Sequence, residues 1–464
     1  PAIARVQVIH NSPSPTVDVY ANDDLLIDNF AYRTATPFID VPAGVDITLG
    51  IALENSNSAA DAIATFDVNL EEGKTYIVTA SGIVGDPTTP FNLIINDAAQ
   101  EASVDVNNVD IAVLHGATNA PAVDVDAVFV ANNVISNLAY GEFTGYLGLT
   151  PDVYDFAVRV AGDPNVVASY RADLSGLAGG AAYVFASGLL GDSPAFGLFA
   201  ALANGTVLEL PLTPTARVQI VHNSPDPTVD VYAGNTLFLD NFVFRSATPF
   251  VDIPADRDFA VGIALGNSNS VNDVLASFPV NFATGESYTV FANGVVGSPV
   301  TPFTLAVDNN ARETAPAGIT AVSVFHGSPD APAVDVAERL AGDLFSNVSF
   351  GQYTPYLDLV TDEYYLDIRI AGLDPIVATY RADLTGLEGL ALRVFASGFL
   401  GNTPGFGLFA VLPDGTVAEL PFAPVSRVQV IHNSPDPTVD LYANGGLFID
   451  NFDFRTATSY IYVP

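Results

Sequence analysis

Arg5-Val6-Gln7-Val8-Ile9-His10-Asn11-Ser12-Pro13-Ser14-Pro15-Thr16-Val17-Asp18-Val19-Tyr20 alternates polar and apolar residues, breaks at a Pro- and Asn-rich turn, and alternates again from Val17. That pattern spells two β-strands joined by a turn. The stretch returns as Arg217–Tyr232 and as Arg427–Tyr442, and looser copies begin at Ile111 and Val322. All five histidines of the chain, His10, His115, His222, His326 and His432, therefore hold one equivalent position. They lie 105, 107, 104 and 106 residues apart, a fixed period that marks a repeat architecture with a unit of ordinary domain size.

Outward from that stretch, the first repeat gives strand candidates at Leu25–Ile27, Phe38–Val41, Ile47–Leu53, Ala64–Asn69, Thr75–Ser81 and Phe91–Ile95, each bounded by turn-forming residues. No segment sustains helical periodicity. Short strands at this spacing predict an all-β fold, a tandem array of Ig-like antiparallel β-sandwich domains of about 105 residues. The predicted units are residues 1–104, 105–213, 214–316 and 317–424, with a partial fifth, 425–464, that copies the start of the first. The partial unit reads as part of a longer array, with completion by a neighbouring molecule as the alternative. Unit three copies unit one and unit four copies unit two, down to the hairpin turns Asn204-Gly205 and Asp414-Gly415, so the true repeat is a domain pair of about 210 residues. Pro211 and Pro214, like Pro421 and Pro424, stiffen the junctions, and a rod is expected.

Composition narrows the function classes. Of the 464 residues, 52 are acidic and 15 are Lys or Arg, a formal net charge of −37 that repels phosphate backbones and argues against nucleic-acid binding. Cysteine is absent, which removes disulfides and thiol chemistry, and the absence of Met at position 1 fits a mature or trimmed chain. No apolar run is long enough for a transmembrane span. Yet 49% of residues are hydrophobic and only 14% charged, more apolar surface than small separate cores absorb. Self-association is the expectation. An acidic, Lys-poor chain also suits an extracellular or cell-surface setting, where cations screen carboxylates.

His222-Asn223-Ser224-Pro225-Asp226-Pro227-Thr228-Val229-Asp230-Val231-Tyr232, with its variant His326-Gly327-Ser328-Pro329-Asp330-Ala331-Pro332, is followed in each repeat by a segment such as Phe395-Ala396-Ser397-Gly398-Phe399-Leu400-Gly401. These motifs resemble the DUF4397 family, domains of unknown function in exported bacterial and archaeal surface proteins. The resemblance runs the length of the chain, although His115-Gly116-Ala117-Thr118-Asn119-Ala120-Pro121 lacks the Ser-Pro-Asp core. It implies β-sandwiches, export and tandem arrays, and carries no reaction or catalytic residue with it.

Candidate chemistry is sparse. His10 with Asp18, His115 with Asp124, His222 with Asp230, His326 with Asp335 and His432 with Asp440 recur as pairs. A histidine beside a carboxylate can act as a base, but no nucleophile recurs with it, and the pair reads as a structural signature that ties strand ends to backbone. Asn22-Asp23-Asp24, Asp226-Pro227 and Asp436-Pro437 offer hard oxygen ligands to calcium without forming an EF-hand; otherwise no cofactor is expected. The equivalent arginines Arg33, Arg245 and Arg455 suggest ion pairs at a strand or interface. Phe196, Phe199, Phe406 and Phe409 read either as core or as an exposed interface. The sequons at Asn204 and Asn347 read as chance. Three functions follow in order: a non-enzymatic structural protein of an extracellular filament or surface layer, an adhesin or ligand-binding stalk for envelope glycans, and an extracellular hydrolase. The absence of Trp weighs against the second, and the lack of a recurring carboxylate pair against the third.

Overall fold

A computed structural model describes residues 2–339, 341–423, 426–443 and 446–463. The assigned boundaries at Pro1, Pro424, Val425 and Pro464 lie outside the described residues. The chain divides into two compact units, residues 1–213 and 214–464.

In the first unit, β1 (Ile3–His10), β2 (Val17–Ala21), β3 (Asp24–Phe30), β4 (Thr34–Ala35), β5 (Ile39–Pro42), β6 (Asp46–Leu53), β7 (Ala64–Asn69), β8 (Thr75–Ser81) and β9 (Asn92–Asn96) form two facing sheets. One runs β4–β1–β8–β9 with β5 also on β1; the other runs β3–β2–β6–β7. The chain thus crosses between sheets after every strand or two, as a sandwich requires. The strand candidates of the sequence agree with these elements to within a few residues. One pairing departs from a purely antiparallel plan: β1 and β8 run parallel, from Arg5↔Thr75 to His10↔Ala80. Parallel neighbours cannot be joined by a tight hairpin, and here the connection passes through the opposite sheet.

The same plan follows with β10 (Val109–Leu114), β11 (Val123–Ala127), β12 (Ala131–Leu138), β13 (Leu147–Leu149), β14 (Val153–Val160), β15 (Val166–Asp173), β16 (Ala181–Ser187), β17 (Gly197–Leu202) and β18 (Val207–Leu210). Their sheets are β13–β10–β16–β17–β18 and β12–β11–β14–β15. The additional strand β18 closes a hairpin at Asn204-Gly205. In the second unit, strands between Thr215 and Asp308 and between Ile319 and Glu419 repeat both arrangements. Residues 426–463 hold three strand pairs: Ser426–Val428 with Ile461–Val463, Ile431–His432 with Thr456–Ala457, and Val439–Ala443 with Gly446–Phe452. Among the described residues, no helix is long and apolar enough to cross a membrane.

Candidate functional site: a joint between sandwiches

The alternation in β1 explains how two sandwiches become one unit. Ala4, Val6 and Val8 enter the core between the sheets, whereas Ile9 belongs to a different cluster. That second cluster joins Ile9, Phe38 and Ile77 to Leu114, Tyr183, Phe185 and Phe199 of the next sandwich. β1 and β8 are therefore buried on both faces, which absorbs part of the apolar excess seen in the composition. Removing a side chain such as Ile9 from water contributes about 1.5–3 kcal/mol.

Polar groups then fix the register. Asn11, 2% exposed, donates from Nδ2 to the carbonyls of Gly116 (3.2 Å) and Ala186 (3.0 Å). Gln7 Nε2 donates to Thr36 O (2.9 Å) and across the joint to Leu202 O (2.8 Å). Arg33 reaches Ser187 Oγ (3.0 Å) and Ala195 O (2.6 Å), with its guanidinium 4.2 Å from the centre of the Phe199 ring. The hairpin turn docks closely: a Cβ on Gly205 would lie 2.6 Å from Pro37 N, and its φ of +85° favours glycine.

The second unit builds the same joint. Asn223 donates to Gly327 O and Ala396 O (both 3.2 Å), Gln219 to Leu412 O (2.7 Å), and Arg245 to Ser397 Oγ (3.0 Å) and Gly405 O (2.7 Å) over the Phe409 ring. Burial holds the Arg245 pKa below its ordinary value. In residues 426–463 the equivalents Gln429, Asn433 and Arg455 are exposed, and Gln429 already donates to Thr458 O (2.9 Å), as Gln7 does to Thr36 O.

One expectation changes here. Arg33 and Arg245 fix an interface by gripping a serine, backbone carbonyls and an aromatic face instead of the expected carboxylates. Phe199 and Phe409, each 6% exposed, are buried inside the joint and present no exposed docking edge. Phe196 packs on Tyr170 with ring centres 6.4 Å apart, and Phe406 packs against the core cluster around Val394; both line their own sandwich. Other recurrent arginines do find carboxylates, among them Arg159 with Asp126, Arg171 with Asp155, Arg369 with Asp343 and Arg381 with Glu363.

The recurring histidines and aspartates bond to separate backbone groups. Nε2 of His10, His115, His222 and His326 hydrogen-bonds the carbonyl of Pro15 (3.0 Å), Pro121 (2.9 Å), Pro227 (3.2 Å) and Pro332 (2.9 Å), closing the turn after the first strand. His432 is buried against Phe452, ring centres 5.6 Å apart. Burial lowers the pKa of His10 and His326 and brings that of His222 to about 4. The aspartates hold a separate feature. Asp18, Asp124, Asp230, Asp335 and Asp440 accept the backbone N–H of Asn29, Asn137, Asn241, Asn347 and Asn451. Each of these asparagines has positive φ, between 48° and 54°. They sit in strands whose register shifts by a bulge, and Asn tolerates that backbone. Burial raises the Asp18 and Asp230 pKa, but hydrogen bonds led by Ser56 and Ser268 outweigh it and hold both below the usual value. The Gly162 and Asn137 amides do the same for Asp124, and those of Asn347 and Gly372 for Asp335. Reading the sequence singled out the aspartates and missed the asparagines, although Asp-Asn-Phe recurs at 28–30, 240–242 and 450–452.

For calcium, Asn22 and Asp23 occupy an exposed turn, with Asp24 exposed at the start of β3, and Asp226 and Asp436 are exposed as well. Among the described residues, no three His, Asp or Glu gather where they could hold a metal ion.

No curated protein matches the chain. Among solved structures, the Bacillus anthracis TIE protein aligns at 9% identity over 86% of this chain and 68% of that one, with a TM-score of 0.13, a likeness on which nothing is built. The family model described as a domain of unknown function, DUF4397, matches residues 4–126, 109–201 and 216–337. The copies beginning at Val322 and Arg427 extend the pattern by their likeness to those matched stretches. With most of its length matched by that model, the chain belongs to the DUF4397 family.

Proposed function

We propose that this chain is a non-enzymatic structural protein of the cell exterior, a tandem array of sandwiches that builds or belongs to an extracellular filament or surface layer. The observation that carries the reading is the joint: the same Gln, Asn, Arg and Phe positions mate two sandwiches in each of the two units. A joint repeated with fixed chemistry serves extension by addition. The recurring histidines and aspartates are spent on backbone hydrogen bonds, which supports a structural role for them, and family membership supports export.

Electron microscopy of the purified protein at high concentration, with calcium and with chelator, tests the proposal. Fibres with a regular axial repeat are expected. Monodisperse monomers under both conditions would refute it and leave the adhesin reading in its place.

A further inference from the structure

In each of the four sandwiches the two sheets leave an apolar cavity of about 300 to 410 Å³. Protein interiors hold few voids larger than a water molecule, whose share of the liquid is about 30 Å³. The cavity between residues 324 and 422, about 320 Å³, differs from a plain void. Its walls are Val324, Val336, Ile368, Val394, Ala396 and Leu408. Tyr380 lines it, only 1% exposed, and its hydroxyl has no hydrogen-bond partner. Leaving a buried hydroxyl unpaired costs about 1–3 kcal/mol. Water fills such a space poorly, because an ordered water needs two to four polar partners and the lining is mainly apolar, its polar side chains being Tyr380, His326, whose Nε2 bonds Pro332 O, and Arg369, which is paired with Asp343. At the rim, Val377, Leu400 and Phe422 are exposed, so the approach is apolar as well.

We infer that this cavity is a binding site for an uncharged, elongated apolar molecule carrying one hydrogen-bond acceptor, such as a ketone or an ester of an aliphatic chain, with the Tyr380 hydroxyl as donor. Burial pushes the Tyr380 pKa up to about 12, so the hydroxyl keeps its proton. The net charge of −37 selects against an anionic head group. The size suits a ligand at the small end of the usual range for such pockets, about 300–1,000 Å³. The equivalent position in the sandwiches of β1–β9 and of residues 215–308 is a phenylalanine, Phe66 or Phe278, which offers no donor.

The experiment titrates the full chain with 2-octanone and with n-octane by calorimetry. Wild type should show saturable binding with a preference for the ketone of about 3- to 10-fold, the worth of one hydrogen bond, carried by the site that Tyr380 lines. Tyr380→Phe should erase that preference and leave octane affinity unchanged. Ala396→Leu, which fills the space, should remove the site. Absence of saturable ketone binding in the wild type, or an undiminished preference in Tyr380→Phe, would overturn the inference.

Discussion

Arg393 shows what the two units do differently at one position. It is 2% exposed and pairs with Asp308, with Tyr356 Oη 3.2 Å away and the Tyr353 ring centre at 4.6 Å. The first unit places Tyr183 and Asn96 at the same register. A buried charge pair adds little net stability, but stripping one partner is expensive. Arg393→Ala should therefore destabilise the second unit by about 3–5 kcal/mol in denaturant unfolding, while Arg393→Tyr combined with Asp308→Asn should recover most of that loss. The histidines supply a second test. A neutral buried His222, with a pKa of about 4, binds a proton less readily than in the unfolded chain, where it titrates near 6.5. Stability should be level above pH 6.5 and fall as the pH drops from 6.5 towards 4, by about 3 kcal/mol for this residue. His10 and His326 act in the same direction. His222→Gln should flatten that slope in a series of melting curves. Asp18, Asp124, Asp230 and Asp335, with lowered pKa, keep their contribution above the ordinary carboxylate range and lose it at lower pH still.

At the scale of elements, the docked hairpins are the sensitive part of each joint. A Cβ on Gly415 would meet Pro249 N at 2.6 Å, on a backbone with φ of +86°. Gly415→Val should cost at least about 1–3 kcal/mol in backbone strain alone and undock the hairpin. Hydrogen exchange should then quicken at the Phe250 amide, which donates to Pro413 O (3.0 Å), while the Val290 amide inside its sheet stays protected. The strands themselves were legible, because alternation and turn residues are local signals. Which face of a strand meets solvent was not. Phe199 in β17 looks the same in sequence whether its outer face is bare or covered by another sandwich, and that partner lies more than 150 residues away in Arg33. The role of Arg33 was hidden for a related reason: composition promised carboxylates, but its left-handed backbone, φ 61°, and the carbonyls of a distant loop decided its partners.

For the whole molecule, charge sets the environment in which the fold is comfortable. A formal net charge of −37 makes each compact state repel itself, and at about 1 M salt the screening length shrinks to about 3 Å. Raising sodium chloride from low millimolar to about 1 M should raise the midpoint of thermal unfolding, whereas a surface rich in stabilising ion pairs would give the reverse.

The parallel pairing of β1 with β8 also bears on how the chain comes off the ribosome. Arg5 waits for Thr75, and Asn11 waits for Ala186, before either finds its partner. Long-range closures of this kind are slow, and an unpaired first strand is open to wrong neighbours in the meantime. Synthesis of the first unit is thus nearly complete before its joint can close, and vectorial folding should advance in blocks of about 210 residues, with nascent chains arrested inside a block far more vulnerable to protease than those arrested at its end.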